Sequence, residues 1–317
     1  MASATTITLI GACEFNESYL YSRVLQRFAE RIKEYYKGQV NFEFHCRDKN
    51  SLGKEEELAV LMSRGLIDFS IIAPSHVRNI SEQVTLLDTP FLFQDKAHWN
   101  HVMESDALQP IIDSLLLRQG NSGLRILGFA GGGVRNMFFV ADNVTPSLKK
   151  LQGMRIRVMD TPIQEKIFAA LGMDPRPMPY LQLYDGLKNG LIPAAENEAA
   201  SYRENKYYEV APYMLLTKHA FTIRPLFFSE SRFQKLPKDL QVAILAAGKE
   251  AAKWGRDQES EMDEKILKDM GDHGLIHMSN FPERDKLMKL AAPVQEQYAK
   301  KLGIEIVLEN IEKLKSF

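Results

Sequence analysis

The sequence predicts a mixed α/β protein made of two domains of similar design, each a sheet flanked by helices. Three observations carry this. The chain has 317 residues, about twice a typical domain of ~150 residues. Residues 5–73 alternate strand, helix, strand, helix, strand, the order of an α/β layer with a parallel sheet. The same alternation restarts after residue 150.

Residues 5–12 form the first strand. In the helix that follows, Leu20, Val24, Leu25, Phe28 and Ile32 keep the spacing of one apolar face, and Gly38 is placed to end it. Val40–Phe44 alternates as a strand, a helix over about 54–64 ends at Gly65, and Leu66–Ala73 supplies a third strand. After residue 150, Met154–Val158 is a short strand. Pro162 stands at the first position of the next helix, with Asp160 or Thr161 as its cap. Ile163, Ile167, Phe168 and Leu171 make that helix's apolar face. A helix over 181–189 then leads to Gly190-Leu191-Ile192, repeating the Gly65-Leu66-Ile67 device. Between the halves, Gly131-Gly132-Gly133 reads as an interdomain crossover or hinge, because glycine accepts dihedrals closed to other residues. Residues 238–270 predict one long helix of about 50 Å at 1.5 Å per residue, in which Gly248 and Gly255 could mark a bend.

Composition excludes several classes. Forty Lys and Arg against 41 Asp and Glu leave a net charge of −1. A nucleic-acid binder needs a basic face to displace counterions, and a polybasic membrane-surface protein needs a similar excess. No apolar run approaches the ~20 residues of a spanning helix. The two cysteines, Cys13 and Cys46, form no CxxC or Cys/His cluster, so cysteine-based zinc and iron–sulfur sites are set aside. They fall at the ends of neighbouring strands, where a disulfide is conceivable but buried free thiols are the preferred reading.

No GxSxG, HExxH, GxGxxG or P-loop pattern is present, and no cofactor is expected. His98 and His101 lack a carboxylate at chelating distance and read as exposed or capping residues. Glu55-Glu56-Glu57 opens a helix, where the dipole favours acids, and reads as a solvated face. Two clusters hold more. In Arg155-Ile156-Arg157-Val158, alternation puts both arginines on one face, and Arg157 sits where the strand delivers its chain to a helix N-terminus. Ligands of open α/β sheets collect at such strand ends, and an arginine beside free N–H groups makes an anion site whose fork holds a carboxylate bidentately. The second cluster, Pro193-Ala194-Ala195-Glu196-Asn197-Glu198, places an acid and an amide at the end of the matching strand.

At these clusters the chain resembles the extracytoplasmic substrate-binding proteins of tripartite ATP-independent periplasmic (TRAP) transporters. The likeness covers nearly its whole length. It rests on Gly65-Leu66-Ile67-Asp68-Phe69, Leu87-Asp88-Thr89-Pro90-Phe91-Leu92-Phe93, Gly153-Met154-Arg155-Ile156-Arg157-Val158, Met178-Pro179-Tyr180, Ala195-Glu196-Asn197 and Leu236-Pro237. The resemblance implies a two-lobed periplasmic-binding-protein-like fold. Lobe I is expected over 1–133 plus about 224–255, lobe II over 134–223 plus about 256–317, with a ligand cleft between them and the long helix spanning both.

It further implies a periplasmic receptor, not an enzyme, that reads as a mature chain whose signal peptide has been removed. Its expected partners are a small organic acid and the TRAP membrane subunits, and it is expected to be monomeric. By the resemblance, Arg157 forms the main salt bridge to the ligand carboxylate and Asn197 orients that group. Arg135 is a second ligand-facing arginine, Tyr180 an aromatic lining residue, and Asp160 and His219 lie at or near the pocket. Glu14 borders the ligand from the opening loop.

The chain departs from the family pattern at Pro193-Ala194-Ala195, at Met159 and at Glu198, and Ala73 replaces an acid used by sialic-acid binders. These departures favour a hydroxylated acid, such as a uronate or aldonate, with Glu196, Glu198, Asp160 and Asn197 meeting its hydroxyls. A C4-dicarboxylate receptor of the same family and a two-lobed α/β enzyme acting on a carboxylate are the competing readings. Closure around the ligand would lower the local dielectric, and a charged hydrogen bond there is worth about 1.5–3 kcal/mol net.

Overall fold

Strand β1 (Ile7–Ala12) lies between two parallel neighbours, β2 (Val40–His45) and β3 (Phe69–Ile71), with Ile7 opposite Val40 and Gly11 opposite Phe69. These elements come from the computed structural model of the chain, which describes residues 6–116, 123–141 and 146–315. The chain divides into two compact units. Unit 1 is Met1–Thr85, Leu108–Gly131 and Ile223–Glu259, and unit 2 is Leu86–Ala107, Gly132–Thr222 and Ser260–Phe317.

The remaining strands are β4 (Leu124–Phe139), β5 (Arg155–Val158), β6 (Asp174–Pro177), β7 (Ala194–Asn197), β8 (Tyr213–Ser229) and β9 (His277–Asn280). In unit 1 the order is β2-β1-β3-β8, and the end of β8 runs antiparallel to β3 with Phe228 opposite Phe69. The expected parallel layer is therefore present and gains one antiparallel strand. Helix Leu20–Tyr35 buries Tyr21, Val24, Leu25, Phe28 and Ile32 against Phe69 and Phe228, the aromatic centre of the core. This helix ends before Gly38. Tyr36 turns extended and returns its N–H to the Ile32 carbonyl, so no positive-φ glycine cap is used.

The long helix runs unbroken over Lys238–Asp272 and contributes residues to both units. Gly248 and Gly255 do not interrupt it. A Cβ on Gly248 would stand 2.4 Å from the Leu127 Cβ, and one on Gly255 would stand 2.7 Å from a Val24 methyl. They are contact points where the helix meets β4 and helix Leu20–Tyr35. The triple glycine likewise lies inside β4 and not in a loop. Gly131 (φ +109°) and Gly132 (φ +116°) hold backbone that residues with a Cβ rarely adopt, and the unit boundary falls between them.

Unit 2 is less of a parallel layer than its sequence pattern predicts. β5 pairs in parallel only with β6, while β7 runs antiparallel to the second half of β4, Asn136 opposite Asn197 and Phe139 opposite Ala194. β9 adds in parallel to the first half of β8. Phe138 packs among Tyr202, Tyr207, Leu183 and Leu187 in the core. Leu86–Ala107 groups with unit 2. There Trp99 stacks on Phe221, and the His98 Nε2 meets the Ile311 carbonyl at 2.8 Å while its Nδ1 accepts from the Gln94 N–H. His98 is thus a buried structural residue, not an exposed one. Cys13 and Cys46 are both buried free thiols.

Candidate functional site

Arg157 is the third residue of β5 and is 3% exposed. The strand is fixed by the burial of Ile156 and Val158, and by the helix that follows. Thr161 caps that helix through the Gln164 N–H, Pro162 opens it, and the Gln164 side chain accepts from the Met159 N–H. The Arg157 guanidinium donates from Nε to the Met178 carbonyl at 2.9 Å and forms no ion pair among the described residues. Burial pushes its pKa below the usual arginine range, and the field of Glu196 offsets only part of that. An arginine stays charged even so, and a buried cation without a counter-ion is costly. That cost is what an anionic ligand would relieve.

Arg135, on β4, is arranged differently. It donates from Nε and a terminal nitrogen to the two oxygens of Glu196 at 2.6 and 2.8 Å, and from its other terminal nitrogen to Glu198 at 2.9 Å. Glu196 is completely buried on β7, and Glu198 is 1% exposed, taking a further hydrogen bond from the Ser201 hydroxyl. Burial works against charge on Glu196, but Arg135 and His219 outweigh it and hold the carboxyl well below its usual range. Glu196 and Glu198 are thus both bonded to Arg135 within the protein, two acids around one cation.

His219, on β8, is also fully enclosed. Its Nε2 lies 3.0 Å from Glu196 and its Nδ1 lies 2.9 Å from the Thr217 hydroxyl. A carboxylate only accepts, so Nε2 carries the proton; Nδ1 then accepts from Thr217, whose oxygen receives the Met137 N–H. Burial lowers the imidazole pKa, which agrees with this neutral tautomer. His219 supports Glu196 from behind, packed edge-on to Phe168.

Asn197 ends β7, which packs beside β5. Its side-chain oxygen accepts from the Glu198 N–H at 3.0 Å, and its amide nitrogen has no hydrogen-bond partner among the described residues. Tyr180 is half-buried; its hydroxyl accepts from the Asn205 amide at 2.6 Å and its ring stands edge-on to Tyr207. Both tyrosines contribute to the field at Arg157. Asp160 is exposed, between β5 and the capped helix.

Glu14 belongs to unit 1 and leads to a second polar cluster that the sequence reading missed. Its carboxylate accepts from the Glu55 N–H, and burial with Glu55 nearby raises its pKa. Glu55, expected on a solvated face, is 2% exposed. It pairs with Arg224 at 2.6 Å and accepts from the Ala73 N–H at 3.0 Å. Arg224 lies over the rings of Tyr21 and Phe15, and His76 bonds to Glu56 at 2.6 Å. The available signal was Arg224, a lone charge inside the apolar run Phe221–Phe228.

Elsewhere in unit 2, a groove of about 780 Å³ lined by Phe91, Arg284, Met288, Leu308 and Ile311 contains none of the expected ligand residues. Among the described residues no group of three or more His, Cys, Asp or Glu side chains could hold a metal ion, and no helix is long and apolar enough to cross a membrane.

Residues 12–301 match the family model described as bacterial extracellular solute-binding protein, family 7. A solute-binding protein of Sulfitobacter sp. NAS-14.1 is 40% identical over 98% of this chain and 92% of its own. A crystal structure of a TRAP periplasmic solute-binding protein from Sulfitobacter sp. NAS-14.1, with bound α-D-taluronate, superposes with a TM-score of 0.88 at 38% identity, covering 97% of this chain and 98% of that one. The 2,3-diketo-L-gulonate-binding periplasmic protein of Escherichia coli K12 is 25% identical over 87% of this chain and 82% of its own. The likeness that Arg157 and its surroundings carried is therefore a family relationship, and this chain belongs to the extracellular solute-binding proteins of family 7, receptors of TRAP transport and not enzymes.

Proposed function

We propose that this protein is a periplasmic receptor for a sugar acid, a uronate or a close relative, which it delivers as a monomer to the membrane subunits of a TRAP transporter. The observation that carries the reading is the Arg157 guanidinium, buried and without an ion pair among the described residues. A ligand carboxylate supplies the missing counter-charge, and the unpartnered amide of Asn197 donates to the same group. Arg135, Glu196, Glu198 and His219 hold each other in a saturated network that stiffens this corner. Tyr180 lines it, and Asp160, exposed between β5 and the capped helix, accepts from ligand hydroxyls. The bound taluronate of the 38% identical Sulfitobacter structure supports the uronate class.

A thermal-shift and calorimetry series tests this with D-taluronate, D-glucuronate, D-galactonate, 2,3-diketo-L-gulonate and succinate. A ligand present at 100 times its Kd stabilises the folded state by about 2.7 kcal/mol. A stabilising, stoichiometric response to one or more sugar acids and none to succinate is expected. A response confined to succinate, or turnover of a sugar acid, overturns the reading.

A further inference from the structure

On the long helix, the carboxylate of Asp263 enters the site's framework by bonding main-chain N–H groups from two site-bearing segments. It is 3% exposed. One oxygen accepts from the Val134 N–H at 3.2 Å and the other from the Ala199 N–H at 3.0 Å. Val134 immediately precedes Arg135 on β4, and Ala199 immediately follows Asn197-Glu198 after β7. A single side chain on a third element thus ties together the two segments that carry the anion site's polar groups.

We infer that Asp263 is a positioning residue for the ligand site, fixing the strand of Arg135 and the turn of Asn197 through its ionised carboxylate. The inference rests on the sugar-acid reading above. Only an ionised carboxylate accepts fully at both oxygens; a protonated one turns an acceptor into a donor facing an N–H. The charged groups near Asp263 are acids: Glu198 at the start of the next helix and Glu264 on its own helix. The cation on β4, Arg135, is bonded to Glu196 and Glu198. Burial first, then these acids, push the Asp263 carboxyl up to about 7. The clamp is therefore complete above neutral pH and released below it.

This arrangement costs the fold something. A carboxyl whose folded pKa is raised makes the folded state bind the extra proton, so the stability this gives is full below the ordinary aspartate value of about 3.9 and is lost as the pH rises from there through about 7. A group serving packing alone would be better neutral. Function is the reason to keep it charged, and that gives opposed readouts for stability and binding.

The test uses the full chain, wild type and Asp263→Asn, with D-taluronate and D-glucuronate as probes in calorimetry from pH 5.5 to 8.5. The wild type should lose about tenfold in affinity on going from pH 8.5 to 5.5, while the ligand carboxylate stays ionised throughout. Asp263→Asn should bind about tenfold more weakly than wild type at pH 8.5, show no pH dependence, and have a melting temperature at pH 8.5 no lower than wild type. Histidine protonation would strengthen anion binding at low pH, so the sign separates the two sources. The wild-type profile alone decides the matter if the variant fails to fold. Tighter binding by the variant would mean that Asp263 merely repels the ligand, and a flat or inverted wild-type profile would mean that it positions nothing; either overturns the inference. Absence of any sugar-acid binding by the wild type removes the functional reading itself.

Discussion

Arg135 holds Glu196 with two nearly parallel hydrogen bonds, 2.6 and 2.8 Å, across the antiparallel pairing of β4 and β7. The pair is closed on itself, with His219 behind the acid and Glu198 on the other side of the guanidinium. On β5, which packs beside β7, Arg157 is buried and forms no ion pair among the described residues.

Removing Arg157 should abolish function without harming the fold. Arg157→Ala leaves a ligand carboxylate buried and unpaired, a loss of about 2–5 kcal/mol or more, enough to take most micromolar binding out of calorimetric range. The melting temperature of the unliganded variant should stay at or above wild type, since a costly buried cation has gone. Near-normal affinity in calorimetry would contradict the assignment of Arg157.

Glu196→Ala should do the reverse and damage the fold first. It strands Arg135 and deprives the His219 Nε2–H of its acceptor, so unfolding in urea should show a loss of about 3–5 kcal/mol. A change below about 1 kcal/mol, the scale of an exposed pair, would show that the network is not structurally coupled.

The His219 contribution has a defined sign with pH. Burial lowers its folded pKa, so the folded state binds fewer protons than the unfolded one below the ordinary histidine value of about 6.5. Its stabilising contribution is present above that pH and is lost as the pH falls toward the folded value. Subtracting the urea stability of His219→Gln from that of wild type between pH 8 and 5 isolates it, because His76 and Asp263 titrate in both proteins. The difference should shrink as the pH is lowered; a difference that grows would contradict the neutral tautomer.

Two glycines of the long helix should respond oppositely to alanine. Gly248→Ala forces a methyl against the Leu127 Cβ, close to the backbone of β4, and should destabilise by about 1–3 kcal/mol. Gly271→Ala meets only the mobile methyl end of Met278 and should be neutral or gain up to about 1 kcal/mol from helix propensity. Thermal melts of both variants decide.

The thiols should be silent in the native protein. Burial pushes Cys13 up to about 12 and raises Cys46 as well, and only a thiolate reacts. A thiol reagent at pH 8 should leave Cys13 unlabelled until denaturant is added, then find both cysteines free.

The sequence by itself determined the elements, because periodicity and local chemistry are short-range. The apolar face of helix Leu20–Tyr35, the Thr161–Pro162 helix start and the continuous long helix are legible from neighbours a few residues apart. The short strands that carry Arg157 and Asn197 sit where alternation and the following helix start put them. What only the tertiary structure decided is which charges meet. Glu196 and Glu198 look like open acids until β7 lies against β4 and delivers both to Arg135, 61 and 63 residues away in the chain. Glu55 looks like a dipole-satisfying surface acid until Arg224, 169 residues on, arrives beside it. Asp263 has no local signature at all. A buried charge is defined by its partners and by the water it has lost, and neither is written within the range over which a sequence pattern extends.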